Sequence, residues 1–429
     1  MDSTAFNREL LAFLQQSPTP FHAVANMAAA LDAAGFTALN EKSRWELEPG
    51  KAYYVVRNRS ALVAFRTGKQ DLAESGVHII GTHTDSPCLK VKPTPEISSN
   101  GYVQLGVEVY GGALLAPWFD RDLSLAGRVD YLDKNGAVCA ELINCEQPLA
   151  TIPSVAIHLF RTVHENRTIN PQKELVPIIL QQDDANDFKL DNFLADQLAA
   201  SGVDIDRVLA HELYFYDVQP PALVGLRQQF IASARLDNLL SCYAACQALI
   251  NGDPDQPGVL VCNDHEEVGS MTASGAQGPF LKSALRRIID SQSGSSDAMT
   301  RMIANSLMLS VDNAHGVHPN YQDKHDDQHK PLLNSGPVIK LNANQRYASN
   351  SESVARFKAL CESCNVPYQS FVMRSDMACG STIGPLTAAE LGVTTVDVGV
   401  ATFGMHSIRE LAGADDPHML ATVLTQFYS

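Results

Sequence analysis

From residue 232 onward, apolar runs of strand length alternate with amphipathic runs of helix length. This alternation constrains the fold more than any other feature of the chain. It reads as a helix over 236–251, a strand over 258–263 and a helix over 279–290, then a Ser/Gly-rich loop at 291–296 and another helix. Strands at 307–311 and 338–341, a helix over 350–364, a strand at 369–373, a helix over 382–391, a strand at 394–398 and a last helix over 416–427 complete it. The run Val259–Cys262 has no polar position, so it needs cover on both faces. Helices between successive strands give that cover and make the sheet largely parallel. The expected fold is therefore α/β, three layers deep as α/β/α. In such sheets ligands gather at the carboxyl ends of the strands.

The N-terminal part fits the same frame. Residues 4–16 and 20–34 read as helices separated by Ser17-Pro18-Thr19-Pro20, where Thr19 can cap and Pro20 suits a first helical position. Ala52–Arg57, Ala61–Arg66 and Val77–Ile80 read as strands. Between about 92 and 231 the pattern changes to short alternating or β-branched runs with tight turns, such as Val103–Tyr110, Gly127–Leu132 and Val176–Leu180. The expected organisation is one domain formed by 1–92 and 232–429, interrupted by a β-rich insertion over 93–231.

Lys and Arg number 32 against 48 Asp and Glu, a formal charge of −16, which disfavours nucleic acid or an anionic membrane as a partner. No signal-peptide pattern and no apolar run near the ~20 residues of a membrane span is present. The nine cysteines are scattered and mostly in apolar contexts, as expected of reduced thiols in a cytoplasmic protein. The lone CxxC, Cys361 and Cys364, falls within a helical stretch and reads as structural. The His-bearing loop 323–329 reads as solvated.

Chemistry-bearing residues cluster just after predicted strands or at a helix start. Val259–Cys262 runs into Asn263-Asp264-His265-Glu266-Glu267, and adjacent carboxylates leaving a turn can divide labour, one as metal ligand and one as general base. His83 and Asp85 suit a metal ligand with an acidic partner on its other ring nitrogen. Asp237, at a helix start, fits either an N-cap or a carboxylate that bridges two metals. Asp312 follows a strand, where a turn former is the ordinary alternative. His406 also follows one. This nitrogen and oxygen donor set without thiolate suits zinc, manganese or cobalt.

These segments, in this order along nearly the whole chain, resemble the aspartyl aminopeptidase family of dinuclear zinc metallopeptidases. The matching stretches are Gly81–Pro87, Arg235–Asn238, Asp264–Ser270, Val311–His315, Gln345–Asn350 and Met405–Glu410. The resemblance implies a metallopeptidase catalytic domain with an inserted β domain for dimerisation. It implies two divalent ions per subunit, most readily zinc, with His83 and Asp312 on one, Glu267 and His406 on the other, and Asp237 bridging them around a hydroxide. Glu266 is then the general base, and Asp85 supports His83. The implied reaction removes N-terminal Asp or Glu from peptides, within a homo-oligomer of six dimers forming a tetrahedral dodecamer. Lys340, by sequence alone an exposed strand lysine, matches the family lysine that meets the substrate's side-chain carboxylate. His158, by sequence alone a core histidine in an apolar strand, matches one that reaches a neighbouring subunit's site and has been treated as a metal ligand. The competing readings are the same scaffold acting on neutral N-termini, a deacylase or carboxypeptidase, and a catalytically silent assembly protein. The intact ligand set argues against the last.

Overall fold

The computed structural model describes residues 2–165, 167–181, 188–292 and 295–429. The predicted loop 291–296 includes positions 293 and 294, which lie outside the described residues. The chain divides into two compact units, one of residues 1–85, 221–405 and 410–429 and one of residues 86–220 and 406–409.

The first unit is built on a nine-stranded sheet in the order Thr37–Leu39, Ala52–Arg57, Ala61–Arg66, Gly258–Asn263, His78–His83, Leu307–Val311, Thr394–Gly399, Val338–Leu341, Gln369–Val372. Its four central strands, from Gly258–Asn263 to Thr394–Gly399, are mutually parallel. The strands Ala61–Arg66 and Val338–Leu341 that flank them run antiparallel to their central neighbours. Alternate residues of the central strands feed two separate cores, as the strand period of two requires. Leu260 and Cys262 pack with the helices Ser3–Gln16, Pro20–Ala33, Leu236–Asn251 and Asp416–Phe427, whereas Val259 and Val261 pack with Phe280–Gln292 and Ala298–Ala304. This is the expected three-layer α/β/α arrangement. A smaller five-stranded sheet in the same unit pairs Phe230–Ser233 with Ala222–Val224 and with Glu410–Gly413. These strands lie at or inside the end of the stretch read as insertion from sequence, yet their ladder partners put them in the first unit.

The second unit is an antiparallel six-stranded sheet, ordered Val138–Asn144, Leu123–Asp133, Ile205–Asp217, Cys88–Ser99, Tyr102–Tyr110, Ile178–Gln181. The helix Leu190–Ala200 buries Leu190, Leu194 and Leu198, one stripe at helical spacing, in this unit's core. His158 does not lie in a buried strand. Ile157–Leu159 form an exposed turn, because Pro153 and the turn hydrogen bonds from Leu159 and Phe160 to Ala156 remove the segment from any ladder. All nine cysteines are free, and no described helix is long and apolar enough to cross a membrane.

One glycine ties the sheet to a candidate ligand. A Cβ at Gly399 would lie 1.8 Å from the Asp312 carbonyl oxygen, because the two backbones meet where the Asp312 amide donates to Val398 at 2.9 Å. Gly399→Ala is expected to destabilise the protein by about 1–3 kcal/mol or more in urea denaturation. Gly380→Ala, with nothing within 4 Å of the added methyl, should shift stability by only about 0.5 kcal/mol. Equal small effects would contradict this packing.

Candidate metal centre

The carboxyl ends of the parallel strands deliver the candidate ligands. His83 is the last residue of its strand, Asp312 follows Val311, and Glu266 and Glu267 form a 3-10 turn shortly past Asn263. That turn is framed by His265 (φ 63°) and Gly269 (φ 99°), left-handed positions that reverse the chain twice and bring both glutamates back over the strand ends. Asp237 lies within the first turn of the helix Leu236–Asn251, which starts after Arg235. Arg235 in turn donates to the Ser17 and Leu14 carbonyls at 3.0 and 3.3 Å, near the end of the first helix. The Asp237 amide donates to Glu410 at 2.9 Å and the Asn238 side chain to the Val311 carbonyl at 2.8 Å, which fixes this turn against the sheet.

His83 is the hub. Its Nε2 lies 3.4 Å from Asp237 Oδ1 and 3.4 Å from Asp312 Oδ1, all three residues being buried. In a tetrahedral site with bonds of about 2.0–2.1 Å, neighbouring ligand atoms stand about 3.3–3.4 Å apart. The spacing therefore fits a shared cation better than good hydrogen bonds, which are shorter. The alternative roles of N-cap for Asp237 and turn former for Asp312 do not describe these side chains, since both face the imidazole. On the other side of the ring, Nδ1 contacts the Asp85 carbonyl at 3.1 Å and its carboxylate at 3.4 Å. A carbonyl only accepts, so Nδ1 carries a proton whether or not the ring is charged, and Nε2 is the nitrogen that faces the acids and is placed to take a metal.

Asp85 does more than support His83. Its two oxygens accept the backbone N–H groups of Glu266 and Glu267, each at 3.1 Å. One carboxylate thus fixes the imidazole and both glutamates. His83, Glu266 and Glu267 offer ligand atoms within 4.8 Å of one another.

The electrostatics call for a cation. Burial works to lower the His83 pKa, but hydrogen bonding to Asp237, Asp312 and Asp85 overrides it and holds the ring well above the usual histidine value. Burial, then the charges of Asp312, Glu267 and Asp85, push the Glu266 carboxyl up to about 8 against the opposing pull of His83. A divalent ion among these groups reverses that logic by favouring every ionised carboxylate.

Lys340 is not an exposed strand lysine. It is 2% exposed, and its ammonium donates to Asp312 Oδ2 at 3.2 Å and to the Asn313 carbonyl at 3.1 Å. The Tyr347 ring lies 5.3 Å from the same ammonium. His406 packs within the second unit, where the Gly112 carbonyl accepts from its Nδ1 at 3.1 Å and so selects Nε2 as the nitrogen for a metal. His158 is exposed in that unit. In the loop 323–329, His325 is buried while the Asp326–His329 pair is solvated. Sequence reasoning missed Glu410, Tyr347 and the Gly112 carbonyl. For Glu410 the signal was a carboxylate in an otherwise apolar strand.

The parallel centre of this sheet carries imidazole and carboxylates at its strand ends, the donor set that a metal-dependent hydrolase uses. The family model for aminopeptidase I zinc metalloproteases (M18) matches residues 13–428. A probable M18 family aminopeptidase 2 from Ectopseudomonas mendocina is 58% identical over 421 residues, covering 98% of this chain and 97% of its own. Among solved structures, one of an Ape4 and Nbr1 complex superposes with a TM-score of 0.96 at 38% identity, over 99% of this chain and 86% of that one. A dodecamer of mApe1 from S. cerevisiae gives 0.87 at 28% identity, over 98% and 96%. The chain belongs to the M18 family of metal-dependent aminopeptidases.

Asp85→Asn replaces one acceptor by an amide that must oppose a backbone N–H. It is expected to weaken zinc binding by about 10–100-fold in a chelator-competition titration. Unchanged affinity would show that the clasp on Glu266 and Glu267 does not shape the centre.

Proposed function

We propose that this aminopeptidase removes N-terminal Asp or Glu from peptides at a centre of two divalent ions, zinc above manganese or cobalt. The convergence of Asp237 and Asp312 on His83 Nε2 at 3.4 Å carries the metal reading. In it His83, Asp237, Glu267, Asp312 and His406 would be the residues that hold the ions. Bound there, the ions supply Lewis acidity to the scissile carbonyl and acidify a water towards neutral pH. Glu266 takes the proton of the attacking water and returns it to the leaving amine. Asp85 holds Glu266 in register through the backbone rather than touching the substrate.

Acidic specificity follows from Lys340. A chain of net charge −16 repels an acidic substrate, so a buried ammonium beside the ligands is the group that makes an acidic side chain welcome. Its present acceptors, Asp312 and the Asn313 carbonyl, keep it aimed at the centre. We further infer a homo-oligomer, as in the mApe1 dodecamer, with dimerisation through the β unit. The exposed Val155 (56%), Ile157 (47%) and Leu159 (83%) around His158 support burial of that loop against another copy.

The test is hydrolysis of Asp-, Glu-, Leu- and N-acyl-terminated peptides with and without a chelator. Chelation should abolish activity and zinc restore it, with Asp and Glu preferred. A Leu preference would transfer the assignment to neutral N-termini. Lys340→Met should lower kcat/KM about tenfold or more for Asp and Glu and far less for Leu, the cost of an unpaired buried carboxylate. Equal losses would remove Lys340 from specificity. Glu266→Gln should keep its metal and fold while kcat falls about 10²–10⁴-fold. A near-normal kcat would dismiss Glu266 as the base.

A further inference from the structure

Asp397 lies within the strand Thr394–Gly399 and is fully buried. A carboxylate there is costly unless donors surround it. Ser310 Oγ donates to Oδ1 at 2.7 Å and Thr382 Oγ1 to the same oxygen at 2.6 Å. The Ala348 N–H donates to Oδ2 at 2.6 Å, and the Asp397 amide donates to Ser349 Oγ at 2.9 Å. A Cβ on Gly384 would fall 2.5 Å from both carboxylate oxygens, so the first turn of the helix Ile383–Leu391 sits directly on the charge. Only glycine allows that approach, and the positive end of the helix favours it.

These donors come from separate parts of the chain. Ser310 lies on the strand that leads to Asp312, Ala348 belongs to the loop 345–350 together with Ser349, which accepts from the Asp397 amide, and Thr382 caps the helix Ile383–Leu391. The last two segments are also stitched together, since Arg346 donates to the Cys379 carbonyl at 3.3 Å and Ser381 to the Arg346 carbonyl at 3.1 Å. Between them lies Tyr347, 4% exposed, with its ring on the Lys340 ammonium. The carboxylate therefore fastens the wall that confines Lys340.

We propose that Asp397 is a positioning residue for the subsite that receives the substrate's N-terminal side chain. It holds the loop 345–350 and the start of the helix Ile383–Leu391 so that Tyr347 fixes Lys340, and thereby sets which first residue is preferred. This rests on reading Lys340 as the group that meets that side chain. A purely structural role would lower stability and affect all substrates alike. A positioning role shifts recognition.

Asp397→Asn and Ser349→Ala, measured in the zinc-loaded enzyme on the same peptide panel, separate the two. Expected are unchanged zinc content, kcat within about threefold of the parent, and KM for the preferred N-terminal residue raised about tenfold. The kcat/KM ratio between preferred and disfavoured residues should fall with it. A loss confined to kcat, an equal loss on all peptides, or loss of zinc would overturn the proposal. If Asp397→Asn does not fold, Ser349→Ala keeps the carboxylate and all three of its donors, removes only the acceptor of the Asp397 amide in the loop 345–350, and decides by the same criteria. The parent enzyme's own panel judges the acidic preference separately. Were it to prefer Leu, Lys340 would not be the group that meets the side chain, and the proposal would fall with that reading.

Discussion

Five carboxylates, those of Asp85, Asp237, Glu266, Glu267 and Asp312, crowd around one imidazole at the ends of a buried sheet. Burial first, and mutual repulsion after it, makes such groups seek protons, as the rise of Glu266 to about 8 displays. Lys340 neutralises one flank, and under the proposed function bound divalent metal would answer the rest. The remainder of the first unit can be understood as the apparatus that holds these acids together against their repulsion. Parallel strands fix the backbone, Asp85 ties the glutamate turn to the histidine, and Glu410 ties down the turn that bears Asp237.

The same problem recurs one strand away. Asp397 is a second buried carboxylate, but it is surrounded by neutral donors instead of other acids. Burial raises its pKa, while Lys340 and the hydroxyl donors act in the opposite sense. The two environments differ in one physical respect. Around Asp397 both oxygens have hydrogens to accept, which suits a fastening. Around His83 several oxygens converge on one point, which suits a cation. Similar side chains thus serve different ends according to whether their neighbours donate or also accept.

Much of this was legible in the sequence where an acid or histidine follows an apolar run. His83, Glu266, Glu267 and Asp312 announce themselves that way, because the carboxyl end of a parallel strand is where a ligand belongs. Asp237 was ambiguous, since a carboxylate at a helix start serves as a cap in most proteins. Lys340 and Asp397 were hidden by their own strands, because period-two patterning says which face a residue takes but not whether that face is covered. The extent of the second unit was blurred for a related reason. Ala222–Val224 and Phe230–Ser233 look like any other β run, and only their pairing in one sheet with Glu410–Gly413, nearly two hundred residues on, assigns them. His158 is deceptive because an apolar segment that turns in solvent has the composition of a buried strand.

The backbone contact between Gly399 and Asp312 has a consequence for the life of the chain. His83, Asp237 and Asp312 are far apart in sequence, and Asp312 takes its final place only beside a strand that ends at residue 399. If these residues form the centre as proposed, a nascent or partly unravelled copy has no assembled cutting edge. The power to cleave peptides arrives with the completed fold, which spares the cell a half-made protease.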